Sequence, residues 1–312
     1  MAGRAAHPEF GVLARYLADA AVTDVFVNGV DGVWVDRGGG AERQPMPVLE
    51  ESEVRDLAVR LVALGGRHVD EATPCVDTRL HDGIRVHAVL PPVSPRGTLL
   101  SIRVPQVQPF TVAALAEAGF FTTVPAGRVV ELVAARANLL VTGAAGSGKT
   151  TLLSALLAEA PSSERIVAIE DVAELRVRHP HFISLEVRQP NLEGAGGIGP
   201  TRLLREALRM RPDRLVLGEC RGEEIRDLLA ALNTGHDGGA GTLHANSLED
   251  VPARLEALGA LAGLSPTAVA RQAVSAIGAV LHLERRAGMR TLAGLGALTL
   301  DARDRLAVRS LA

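Results

Sequence analysis

The rhythm of apolar and polar residues changes near position 105. Before it, short runs alternate. Asp24-Val-Phe-Val-Asn28 and Val33-Trp-Val-Asp36, joined by Gly29-Val-Asp-Gly32, read as a β-hairpin. Ile84–Leu90 and Thr98–Val104 read as further strands, the first entered through Asp82-Gly83 and ended by Pro91-Pro92. Leu13 and Leu17 suggest an amphipathic helix over Pro8–Ala20. Val54, Leu57, Leu61 and Leu64 form one stripe of a helix over Glu50–Leu64, closed by Gly65-Gly66. Gly38–Gly40 reads as a surface turn. Pro105-Gln-Val-Gln-Pro109 has no periodicity and reads as a linker.

Beyond the linker, strand and helix patterns alternate, the mark of an α/β domain. The strands fall at 138–142, 165–169, 214–218 and 279–284. The helices fall at 126–136, 149–159, 201–210, 222–232, 248–262 and 266–277. The expected organisation is an α+β domain over 1–104, a linker over 105–111 and an α/β domain over 112–312. The glycine-rich stretch Pro190–Pro200 is expected to be mobile.

Composition narrows the function classes. Hydrophobic residues make up 47% and aromatics 3%, so the core must be aliphatic. A net charge of −3 argues against a protein that coats nucleic acid. Cys75 and Cys220 are the only cysteines, which excludes a disulfide framework and a cysteine-built metal site. The first eight residues lack the apolar core of a signal peptide, and no run of about 18 apolar residues occurs. The expected location is cytoplasmic, with any attachment to the inner face of the membrane made through partners.

The richest chemistry lies in Gly143-Ala144-Ala145-Gly146-Ser147-Gly148-Lys149-Thr150, a G-x-x-x-x-G-K-[ST] phosphate-binding loop. An apolar strand precedes it and a Leu-rich helix follows from Thr151, so backbone N–H groups and a helix dipole converge on one point. Lys149 is the only lysine in the chain; every other basic residue besides histidine is arginine. A compact ammonium fits between β- and γ-phosphates where a planar guanidinium does not.

Two apolar strands end in acids. Arg165–Ile169 runs into Glu170-Asp171, with Glu174 close behind, and Arg214–Gly218 runs into Glu219. Carboxylates at strand C-terminal ends can orient water or hold Mg²⁺; helix-capping acids are the plainer alternative for the first pair. Cys220 reads as a small hydrophobe rather than a redox group. Asn233–Ser247 is polar and glycine-rich and reads as a loop. Its His236 and His244 have no third metal ligand at a convincing spacing, which leaves γ-phosphate contact or simple exposure.

The order of these stretches closely resembles the type II/type IV secretion ATPases, and most of all their CpaF/TadA-like branch. The family's four boxes appear in sequence: the phosphate loop, Ile169–Leu175, Leu208–Arg214 with Gly218-Glu219, then Asn233–His236 and His244–Ser247. Gly-Glu in place of the Asp-Glu of other P-loop enzymes belongs to the pattern. Val22–Gly29, Val33–Arg37, Gly83–Pro92 and Ser101–Arg103 match as well. The long N-terminal extension of many members and the four-cysteine zinc element of GspE-type members are missing from this sequence.

The resemblance implies a RecA-like P-loop NTPase domain preceded by a smaller α+β N-terminal domain. It implies a motor ATPase that hydrolyses ATP with Mg²⁺ to power pilus assembly, secretion or conjugal transfer. Residues 143–148, Lys149, Thr150 and Thr151 would bind the nucleotide. Thr150 and Glu219 would hold Mg²⁺, Glu170 would act on the attacking water, and His236 and His244 would sense the γ-phosphate. Arg85, Arg96 and Arg103, with Arg79, are candidates to neutralise phosphate charge across the domain cleft; a surface ion pair is the alternative for each. Arg202, Arg205 and Arg209 share one helix face, either for intersubunit pairing or for solvent. The implied partners are further copies of the chain in a hexamer and an integral inner-membrane platform protein, with no stable nucleic acid. Competing readings are a DNA-handling helicase or translocase, a nucleotide-binding regulator of a secretion complex, and a small-molecule kinase.

Overall fold

A computed structural model describes residues 7–45, 49–80, 83–105, 110–188, 195–286 and 288–311. The chain divides into two compact units, Met1–Gln108 and Pro109–Ala312. Most of the expected linker, residues 106–109, and residues 190–194 of the glycine-rich stretch lie outside the described residues, as does Asp82 of the expected turn.

The first unit opens with a 3₁₀ segment, Pro8–Leu13, that runs into α1 (Ala14–Leu17); the helix expected over Pro8–Ala20 is broken at Gly11, whose φ is 55°. The strands β1 (Asp24–Asn28), β2 (Val33–Asp36), β3 (Ala41–Arg43), β4 (Cys75–Arg79), β5 (Arg85–Val89) and β6 (Leu99–Arg103) form an antiparallel sheet in the order β3-β2-β1-β6-β5-β4. Strand alternation buries Val25, Val27, Val86, Ala88, Leu100 and Ile102 with the apolar stripe of α2 (Glu51–Leu64). That stripe is Val54, Leu57, Ala58, Leu61 and Val62. Its next position is Gly65, where a Cβ would collide with Thr78 of β4. Leu64, expected on the stripe, is turned about 100° away from that line and is 56% exposed.

The second unit holds α3 (Val112–Glu117), α4 (Ala126–Ala134), β7 (Leu139–Gly143), α5 (Lys149–Leu157), β8 (Ile166–Glu170), β9 (Phe182–Glu186), α6 (Pro200–Arg209) and β10 (Arg214–Cys220). It continues with α7 (Glu224–Leu232), β11 (Ala240–Leu243), α8 (Val251–Leu261), α9 (Pro266–Ala276), β12 (Ala279–Arg286), β13 (Met289–Leu300) and β14 (Leu306–Ser310). The sheet order is β14-β13-β12-β7-β11-β10-β8-β9. From β12 to β9 all neighbours are parallel, and β13 and β14 add antiparallel strands at one edge. Apolar clusters on the two faces bury the helices against it. This is the α/β, RecA-like arrangement, preceded by a smaller α+β unit.

The segment Asn233–Ser247 is not all loop. Its residues Ala240–Leu243 form β11, a fully buried strand between β7 and β10. Ala-Gly-Thr-Leu carries no apolar run because the space is narrow: a Cβ on Gly241 would lie 3.1 Å from Leu228 of α7 and 3.4 Å from Cys220. β9, β13 and β14 also have no counterpart among the expected strands. Among the described residues no helix is long and apolar enough to cross a membrane.

Candidate active site

The glycine loop connects the C-terminal end of β7 to the N-terminus of α5. Gly148, the residue before the helix, has φ 99°, a conformation that disfavours any side chain. At Gly143 (φ 148°) a Cβ would lie 2.5 Å from the Leu283 carbonyl and 2.7 Å from the Ser147 hydroxyl. Ala144, Ala145 and Gly146 form the exposed tip. Ser147 is buried, and its hydroxyl has no hydrogen-bond partner. Thr150 and Thr151 are half-buried in the first turn of α5.

Lys149 is buried, and its Nζ donates to the carbonyls of Gly143 (2.9 Å) and Ala144 (3.0 Å). It also lies 3.4 Å from Nδ1 of His244, just beyond the end of β11. His244 Nε2 is 2.7 Å from Glu219 Oε1, and the other oxygen of Glu219 accepts from Arg221 Nη2. One imidazole thus links the ammonium of the glycine loop to the acid of β10. A neutral ring protonated on Nε2 satisfies both contacts, donating to Glu219 and accepting from Lys149. Arg254 donates to the His244 carbonyl (3.2 Å), and Arg221 lies 3.4 Å from Asp171.

The electrostatics agree with that tautomer. Burial, then the Lys149 charge, hold His244 below the ordinary histidine value. Burial lowers the Lys149 ammonium, against the pull of Glu219. For Glu219 burial is the largest single influence and pushes upward, but Arg221, His244 and Lys149 together outweigh it, and the carboxyl titrates below its usual range. Burial drives the Cys220 thiol far upward, which fits a small packed hydrophobe and not a reactive group.

Glu170, at the end of β8, is 4% exposed. Its Oε1 accepts from the amides of Glu174 (3.0 Å) and Leu175 (2.9 Å), which fixes the carboxylate against the segment that follows it. Gly218 of β10 lies directly beside it: a Cβ there would be 2.6 Å from Glu170 Cγ. An aspartate at 218 would occupy the space taken by the Glu170 side chain. In this chain the contact leaves room only for glycine ahead of Glu219.

The expected site residues therefore divide. Lys149, Glu219 and His244 meet through direct contacts, and Thr150, Thr151 and Glu170 sit at the same C-terminal edge of the parallel strands. His236 does not join them. It precedes the N-terminal end of β11, with Nδ1 on the Ala231 carbonyl (3.2 Å), and β11 runs parallel to β7. Four extended residues span about 13 Å, so the two histidines stand at opposite edges of the sheet. The expectation that His236 senses the γ-phosphate held at this loop is withdrawn.

Arg85, Arg96 and Arg103 belong to the first unit. Arg96 pairs with Asp31 (2.8 Å) and Arg103 with Asp24 (3.3 Å), both at exposed positions, and Arg85 lies opposite Arg103 and Arg79 in the sheet register. Arg205 and Arg209 pair with Asp227 (3.4 Å) and Glu206 (3.3 Å). Arg221, Arg254 and Arg290 were not singled out in the sequence. Only the first carried a signal, its position two residues after Glu219.

The geometry suits a nucleotide. A glycine cradle, an unsatisfied buried hydroxyl and an ammonium resting on backbone carbonyls are the features a triphosphate would engage. Among the described residues no three His, Cys, Asp or Glu gather as a metal cage. The donor set at Thr150 and Glu219 fits a hard cation that takes its remaining ligands from phosphate and water.

A glycine loop between a buried parallel strand and a helix, with acids at the ends of two further parallel strands of the same sheet, defines the RecA-like P-loop class. Comparison with known proteins narrows this. Residues 7–290 match the family model described as type II/IV secretion system protein, and the chain belongs to that family. It is 50% identical over 295 residues to a putative conjugal transfer protein of Mycobacterium tuberculosis, covering 92% of this chain and 84% of that one. It is 33% identical over 305 residues to the type IV secretion system protein PtlH homolog of Bordetella bronchiseptica, covering 88% and 89%. Two solved structures share the fold. The ATPase DotB of Yersinia pseudotuberculosis is 17% identical with a TM-score of 0.63, covering 97% of this chain and 77% of that one. The pilus retraction motor PilT with bound ADP is 20% identical with a TM-score of 0.61, covering 93% and 78%.

Proposed function

We propose that the chain is a motor ATPase that hydrolyses ATP to power type II/IV-like secretion, conjugal transfer or pilus assembly. The observation that carries this reading is the continuous contact from Lys149 through His244 to Glu219 at the mouth of the glycine loop. It joins three of the four boxes in one place. Family membership and the conjugal-transfer relative support the choice of process.

In this reading the amides of 144–151 and the Lys149 ammonium bind the phosphates. Binding draws Lys149 off the Gly143 and Ala144 carbonyls, and the imidazole passes that movement to Glu219. Glu170, fixed by two amides, orients the attacking water. Mg²⁺, held by Thr150 and Glu219, would supply charge neutralisation at the phosphates. Arg85, Arg96 and Arg103 belong to the same proposal as further cations for the transferred phosphate; the exposed ion pairs of Arg96 and Arg103 cost little to break. The working form is a homo-oligomer, a hexamer by family resemblance. It acts on an integral inner-membrane platform protein from the cytoplasmic side, with no stable nucleic-acid partner.

The test is ATP binding and hydrolysis by the full chain and two variants. Glu170→Gln should bind nucleotide normally while turnover collapses. Glu219→Gln should lose turnover and also shift the Mg²⁺ dependence. A wild-type chain that binds no ATP, or variants that hydrolyse it at the wild-type rate, would remove the reading.

A further inference from the structure

The β12–β13 hairpin adjoins the glycine loop on the side of β7 away from Glu170, Glu219 and His244. It is fixed there. Buried Thr142, at the end of β7, hydrogen-bonds His282 of β12 (2.9 Å), and the Leu283 carbonyl closes on Gly143. From this base Arg290, near the start of β13, extends over the loop. Its Nε donates to the Gly146 carbonyl at 3.0 Å, and its Cδ would lie 3.4 Å from a Cβ on Gly148. Among the described residues neither terminal nitrogen of Arg290 has a hydrogen bond or an ion pair, although Glu284 and Asp301 stand elsewhere on the same hairpin and its continuation. Arg290 is exposed, so packing does not account for its pose.

We propose that Arg290 is a second phosphate-binding cation of the site, engaging the non-reacting phosphates of the bound nucleotide. The assignment rests on the glycine loop being the nucleotide site. Lys149 and Arg290 together cover three loop carbonyls, those of Gly143, Ala144 and Gly146. The reacting phosphate must lie toward the acids and His244. Arg290 arrives from the opposite side, so its two free amino groups meet the phosphates nearer the nucleoside. Guanidinium geometry suits that bidentate task. The contact is present before and after γ-phosphate transfer, so it contributes to nucleotide affinity more than to the chemical step.

The experiment measures binding of ADP and of a non-hydrolysable ATP analogue by calorimetry, with the full chain, Arg290→Ala and Arg290→Lys. Arg290→Ala should weaken both ligands about tenfold, the loss expected for a charge-assisted contact. Arg290→Lys should recover part of it. The KM for ATP should rise by a similar factor while kcat falls much less, and the unfolding temperature without nucleotide should not move. Wild-type affinity in Arg290→Ala, or a loss confined to kcat, would overturn the proposal. So would a fall in nucleotide-free unfolding temperature large enough to account for the affinity change. A wild-type chain that binds neither ligand would instead overturn the nucleotide site itself.

Discussion

The two edges of the second unit's sheet carry polar clusters of similar size and opposite character. At the N-terminal edge, Arg214 is 2% exposed, and every donor nitrogen has an acceptor. It pairs with Glu164 and donates to the carbonyls of Val133 and Gly238. Glu164 also binds Arg136, which donates to the Asp213 and Asp237 carbonyls. Asn138 beside them uses both ends of its amide on backbone groups. At the C-terminal edge, among the described residues, the pairing is incomplete: the buried Ser147 hydroxyl has no partner, buried Lys149 rests on carbonyls, and exposed Arg290 has no acceptor for its two terminal nitrogens. A saturated cluster has nothing left to offer a ligand and serves the fold. An unsaturated one at a glycine loop is prepared for a guest.

The comparison breaks most visibly at Lys149. Replacement by Ala should lower ATP turnover by about 10²–10³-fold or more, the scale for losing one preorganised charge-stabilising donor, and leave chemical unfolding near wild type. Arg214→Ala should do the reverse. It leaves Glu164 only Arg136 and takes the donor from the Val133 and Gly238 carbonyls, a loss of about 1–3 kcal/mol in unfolding free energy, while hydrolysis per folded molecule is largely kept. Equal effects of the two variants on both readouts would erase the distinction between the edges.

Gly218 sharpens it at finer scale. Gly218→Asp forces Glu170 from its place and should cost about 1–3 kcal/mol of stability, the usual scale of overpacking, together with most of the turnover. A fully active, fully stable variant would show that Glu170 does not need its present pose.

The smallest effect concerns pH. The folded-state value of His244 lies below the ordinary 6.5, and Lys149, Glu219, Arg221 and Arg254 are the charged groups around it. Neutral His244 therefore favours the folded, linked site. That contribution is complete above pH 6.5 and is lost as pH falls through the lower folded value. Protonation puts a proton on Nδ1 facing the Lys149 ammonium. Turnover should fall along this acid limb, and His244→Gln should lack the limb; an unchanged profile in the variant would remove His244 from the titration.

Much of this site was legible in the sequence because its parts announce themselves locally. The glycine loop, the strand-ending acids Glu170 and Glu219, and His244 each sit next to a recognisable pattern. What was not legible depended on neighbours distant in sequence. β11 is three small residues and one leucine with no apolar run, and it is identifiable as a central strand only through Leu228, Cys220 and β7 packed around it. Once that strand exists, His236 and His244, eight positions apart in a segment that reads as one loop, must separate to opposite edges. Arg290 reaches Gly146 across 144 positions of sequence, and nothing near it in the chain marks a nucleotide contact. In the first unit Leu64 went astray by a single helical step.

The most direct test uses the one lysine. Lys149 is the only side-chain amine in the chain, and its lowered ammonium value favours the nucleophilic amine. The full chain is treated with a mild acylating reagent with and without Mg-ATP, and labelling at residue 149 is read by mass spectrometry beside ATP turnover. The account predicts that Mg-ATP protects Lys149 and that labelled protein loses turnover in proportion to its labelling. Fully acylated Lys149 in a chain that still hydrolyses ATP at the original rate would contradict it.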